Sequence, residues 1–164
     1  MFELKKISPD AVPEALAKVE RYRLLNEPGL AESICLDILE TDSANQPARI
    51  MLILALTDQS ENIATVGRAR EHLSKLVGPY ERAYYAGIVA ERTAMAYLRH
   101  GSAPGSAAFR AFREAMEWYE KAEALRPAGN DDAILRWNTC ARVLNRNPGM
   151  EPQPADVLET VLDD

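Results

Sequence analysis

The stretch PGSAAFRAFREAMEWYEKAEALR, residues 104–126, decides the fold. Ala108, Phe112, Ala115, Tyr119 and Ala122 recur at alternating four- and three-residue steps, which puts them in one seam along a helix. Pro104 suits a first helical turn, where its missing N–H has no partner to lose, and Glu117 and Lys121 form a favourable i,i+4 pair. Outward from this helix, Pro and Gly clusters cut the chain at NEPG (26–29), DSANQP (42–47), GP (78–79), HGSAPGS (100–106), RPAGNDD (126–132) and NPGMEPQP (147–154). Between the cuts the apolar residues keep helical period. Ala15, Val19, Tyr22 and Leu25 form one stripe, and Ala31, Ile34, Cys35, Ile38 and Leu39 another. Residues 48–57 are apolar almost all round, which fits a buried strand or a helix covered on both sides; the helical neighbours and Ala48 and Ala55 favour the helix. The expectation is all-α: helices over 12–25, 30–41, 48–57, 62–77, 80–99, 104–126 and 131–146, paired as antiparallel hairpins.

Composition agrees. Of 164 residues about 43 are Ala or Leu and about 22 are Val, Ile or Thr, a helix-forming balance. The longest apolar run, Ile50 to Leu56, is too short to cross a bilayer. The opening MFELKKISPD has no apolar core of a secretory signal, so a cytoplasmic protein with no membrane partner is expected. Net charge is −6, which argues against nucleic acid held by bulk attraction. That sum hides an asymmetry: residues 1–61 carry −5, 62–113 carry +5, 114–146 carry −1 and 147–164 carry −5. The basic middle can attract an acidic peptide, the chain's own tail included.

Chemistry-bearing patterns are sparse. His72 and His100 have no metal-ligand spacing, and no Gly-rich phosphate loop or nucleophile elbow is present. Cys35 and Cys140 lie on apolar helix faces and read as free buried thiols. No catalytic residue, cofactor or metal is therefore expected. Tyr84, Tyr85 and Tyr97 on one helix, with Trp118 and Tyr119 on the next, fit a core better than a stacking platform.

Hairpins punctuated every thirty-odd residues invite a repeat test. Ala115, Tyr119, Ala122 and Pro127 give the frame A-x3-Y-x2-A-x4-P. This resembles the second helix of a tetratricopeptide (TPR) repeat, where small residues let two helices approach, an aromatic fills the gap and Pro stops the helix. The frame also fits Ala31, Cys35, Ile38 and Ser43, and more loosely Gly67, Glu71, Ser74 and Pro79. Tyr22 matches the first-helix aromatic, and Gly87 resembles the small residue of the helix crossing. Gly87 to Ala115 spans 28 residues where the family has about 12, so the third hairpin is expected to be elongated. The resemblance covers about 12–146, with a lead-in over 1–11 and a Pro-rich linker and short acidic tail helix over 147–164. It implies a solenoid-like array of about three repeats plus a closing helix, acting as a scaffold or adaptor for a protein or peptide. The family's carboxylate clamp maps onto Leu16, Glu20 and Met51, which cannot make it; Leu16, Ile50, Met51 and Leu54 give an apolar face suited to an amphipathic helix. Arg49, Tyr84, Tyr85 and Arg92 are the expected peptide contacts, Arg49 as the one charge in an apolar segment. The alternative is a self-associating subunit, a homodimer through the 48–57 helix or the 104–126 seam. Val157, Leu158, Val161 and Leu162 form an apolar stripe in the tail, which is too short to stay helical alone and is expected to dock on the array.

Overall fold

A computed structural model describes residues 1–59, 63–100 and 105–152. Among them are seven α-helices and no strand: α1 Val12–Leu24, α2 Pro28–Thr41, α3 Gln46–Asp58, α4 Ile63–Leu73, α5 Pro79–His100, α6 Gly105–Leu125 and α7 Asp132–Arg146. None of them is long and apolar enough to cross a membrane. The hairpin array expected from the spacing is present. It divides into two compact units, Met1–Gly78 and Pro79–Asp164, with the division at the Gly–Pro pair inside the stretch read as one array.

In the first unit α1, α2, α3 and α4 pack each against the next. The seven buried residues of α3 (Ala48, Arg49, Leu52, Ile53, Ala55, Leu56 and Thr57) occupy rather more than half of its circumference, because α2 and α4 cover it and α1 also touches it, while Ile50, Met51 and Leu54 on the remaining side are half-buried. This settles the strand-or-helix ambiguity of 48–57 in favour of the covered helix. Asn45 begins it: its Oδ1 accepts from Ala48 N–H at 2.9 Å, satisfying one of the orphan donors of a helix start. Most boundaries fall within two residues of the sequence reading, and two helix ends are set by particular side chains. Asn26 takes a left-handed φ of 58°, a conformation Asn tolerates better than most residues, and ends α1 so that Leu25 leaves the stripe and stands exposed. The last helix of the unit stops at Leu73 rather than 77, because Gln46 captures the backbone beyond it: Val77 N–H donates to Gln46 Oε1 at 2.9 Å and Gln46 Nε2 donates to Lys75 C=O at 3.4 Å.

In the second unit α5 and α6 run 22 and 21 residues, against 11 to 15 for the other helices. They are the elongated hairpin anticipated from the 28-residue spacing. Every member of the Ala108–Ala122 seam is buried, Ala115, Tyr119 and Ala122 completely; each fully buried large side chain such as Phe112 contributes about 1.5–3 kcal/mol. The seam and the buried residues of the 48–57 helix are thus both covered inside their own units. α7 packs on α6, and a short 3-10 turn at Pro148–Met150 folds back onto both with Met150 buried. The first residues of the expected linker are therefore packed. The tail helix expected beyond it lies outside the described residues.

Candidate functional site

The four expected contacts fall in different units. Arg49 sits in the first and is only 8% exposed. Its Nη2 donates to Ser43 C=O at 2.6 Å and its Nη1 lies 3.2 Å from His72 Nδ1. A lone charge on an apolar helix has here turned inward, fastening the α2–α3 turn to α4. Because a guanidinium has no acceptor, His72 meets it as neutral imidazole with Nδ1 accepting. Burial lowers the His72 pKa below its ordinary 6.5, with Lys75 and Arg49 adding to the effect. The folded state therefore binds the proton less well than the unfolded chain. The stability from this site is present above about pH 6.5 and declines as pH falls through that value towards the lowered folded pKa. Urea midpoints across pH 7.5 to 5 should show that decline in the native chain, and His72→Gln should flatten it.

Tyr84, Tyr85 and Arg92 sit on α5 in the second unit. Tyr84 and Tyr85 meet edge to face at 5.1 Å, and Tyr84 stacks on Tyr80 at 5.7 Å. Arg92 lies two helical turns beyond Tyr85 on the same face; all three are half-buried. Tyr84 also leans on Tyr119 at 6.0 Å, and through it reaches a network that sequence reasoning did not identify. The Glu91 carboxylate, 7% exposed, accepts from Tyr119 Oη at 2.5 Å and from Arg136 Nη1 at 3.1 Å. Burial, then the Glu91 charge, push the Tyr119 phenol well above its ordinary range. Burial likewise raises Tyr85 to about 12. For Arg136, burial is the largest influence and opposes the charge, but Glu91, Tyr119 and Tyr84 together outweigh it and hold the pKa above normal. Through these two bonds Glu91 ties α5 to α6 and α7. Its signal was in the sequence: Glu91 interrupts the apolar run around AGIVAERTAMA, and Arg136 falls between Ala133 and Cys140 on the buried face of α7.

Cys35 and Cys140 are free and fully buried, and burial pushes both thiols up to about 12. At neutral pH they are protonated and poor nucleophiles. Among the described residues no group of three His, Cys, Asp or Glu is placed to hold a metal ion.

The first unit carries an apolar strip across α1 and α3. Arg23 Nε donates to Asp58 Oδ2 at 2.8 Å and its Nη1 lies 3.9 Å from Met51 Sδ, so the helix faces bearing Arg23 and Met51 adjoin. Leu16 and Glu20 precede Arg23 by seven and three residues on that face of α1, and Leu54 follows Met51 by three on α3. Leu16, Ile50, Met51 and Leu54 are all half-buried and Glu20 is exposed. The clamp positions hold no cation, as the residue types required. Compared with known proteins, the chain matches no protein-family model, and no curated protein is detectably similar to it in sequence.

Proposed function

We propose that the protein is a non-catalytic cytoplasmic scaffold, a TPR-like helical array that binds an amphipathic helix of a partner protein. The half-buried strip of Leu16, Ile50, Met51 and Leu54 carries this reading. It offers apolar side chains at helical spacing on two adjoining helices, the geometry into which i, i+3, i+4 anchors fit. The Arg23–Asp58 pair beside it is partly exposed and would set register more than affinity. Tyr84, Tyr85 and Arg92 supply a second contact patch in the other unit. Arg49 does not contribute a contact, since it is spent inside the fold. Two thiols held near 12 add to the case against covalent catalysis.

The test is affinity capture from native lysate with Met51→Asp beside a control, Ala17→Asp, at an exposed position of α1. Proteins retained by the native chain and the control should drop at least tenfold on Met51→Asp, with helical content unchanged. Recovery of the same proteins by all three chains would end the proposal for this strip.

A further inference from the structure

The second unit contains a groove of about 640 Å³ between α6 and α7, closed at one end by Pro148 and Glu151. Phe109, Arg113 and Met116 form its α6 wall, and Trp137, Ala141 and Leu144 its α7 wall. The α7 wall is the outer edge of that helix's single apolar stripe. Ala133 and Cys140 on the stripe are fully buried, whereas Trp137, Ala141 and Leu144 remain half-buried along the groove. Trp137 is held in place by donating Nε1–H to Glu120 Oε1 at 3.0 Å. Polar groups share the lining. Arg113 is exposed and enters no ion pair among the described residues. Asn145 offers a donor and an acceptor, and Asn147, whose Nδ2 donates to Val143 C=O at 2.8 Å, presents its Oδ1.

We infer that this groove binds an extended peptide of a partner protein, in which one Asp or Glu lies two positions from an apolar residue. The mixed lining selects the backbone state. An amphipathic helix satisfies its own N–H and C=O groups and needs only an apolar trough. An extended segment leaves those groups open and needs polar partners beside the apolar ones. Asn145 and Asn147 supply them. Charge selects the side chain. The half of the hairpin that holds the groove, residues 105–116 and 139–152, carries four Arg and two Glu, although the chain as a whole is −6. Arg113 is the cation that lines the groove, and its planar fork suits a carboxylate. Glu151 at the closed end can accept a backbone N–H and repels a second carboxylate, so a single acid is favoured over an acidic run. Spacing selects the pattern. Side chains two apart on an extended chain point the same way, about 6.6 Å from each other. Arg113 stands about 6 Å along α6 from Phe109 and about 4.5 Å from Met116. A carboxylate on Arg113 therefore brings its i±2 neighbours to those two apolar side chains. The site shares no residue with the Leu16–Leu54 strip, and either can fail without the other.

The experiment titrates the full chain, labelled for NMR, with the peptide acetyl-GSLSDSLSG-amide and reads the Trp137 indole N–H. That resonance should move saturably, with a Kd at or below about 1 mM, while Trp118 on the far side of α6 stays in place. The same peptide with Lys for Asp should bind at least tenfold more weakly, and so should the Asp peptide to Arg113→Glu. On that variant the Lys peptide should be the tighter of the two. Serine in place of both leucines should also cost at least tenfold. No saturable movement of Trp137 would overturn the inference. So would equal responses to the Asp and Lys peptides, which would remove the role of Arg113, or a Trp137 shift on concentrating the protein alone, which would assign the groove to a second copy.

Discussion

Glu91→Ala is expected to destabilise the second unit by about 4 kcal/mol, within the 3–5 kcal/mol range for breaking a buried charged network. Three losses combine in that figure. The Tyr119 hydroxyl, on a ring with no exposed surface, loses its acceptor, at about 1–3 kcal/mol for an unsatisfied buried group. Arg136 loses the carboxylate that holds its charge in a half-buried site; its side chain is 36% exposed, so water recovers part of that interaction. The deleted carboxyl and methylenes leave a space between α5, α6 and α7, which adds a cavity cost. Glu91→Gln keeps an oxygen for Tyr119 and much of the volume, and should lose about half as much. The triple change Glu91→Met, Tyr119→Phe and Arg136→Met removes all polar members together and should return to within about 1 kcal/mol of the native chain. Urea unfolding followed by Cys140 labelling reads these values on the second unit directly, since that thiol is buried within it. A loss under 1 kcal/mol for Glu91→Ala would mean that the network is incidental to stability.

The helices were legible in the sequence because their evidence is local. The Ala108–Ala122 seam, the Pro and Gly punctuation and the 28-residue spacing each concern residues near in sequence, and all seven helices lie where period and punctuation put them. Boundaries failed where a distant group intervened. Nothing near Leu73 announces that Gln46, 27 residues earlier, will bond the backbone beyond it. The candidate site was less legible, for the same reason. Arg49 and Arg136 are both lone cations on apolar helix faces. Such a residue can address a partner or a neighbouring helix, and only the tertiary positions of Ser43, His72 and Glu91 show that both turn inward. The apolar strip was legible only as a set of residue types. Its adjacency rests on the Arg23–Asp58 and Arg23–Met51 contacts, which no spacing within one helix contains.

Gly87→Ala should also destabilise the second unit, by about 2 kcal/mol, although the same change in an exposed helix interior stabilises by about 1 kcal/mol. Contact distance decides the sign. A Cβ on residue 87 would stand 2.5 Å from Tyr119 Cε1 and 2.7 Å from Cδ1, well inside van der Waals contact. The ring has nowhere to go, being fully buried and tied through its hydroxyl to Glu91. Either α5 and α6 separate or the Glu91 bond breaks, and overpacking of this kind costs about 1–3 kcal/mol or somewhat more. A double-mutant cycle isolates the cause. With Tyr119→Leu the ring is gone, so Gly87→Ala in that background should be neutral or stabilising, giving a coupling of about 2–3 kcal/mol. Stabilisation by Gly87→Ala in the otherwise native chain would show that the two helices can part without loss. The glycine would then serve flexibility rather than the close approach of α5 to the Tyr119 ring.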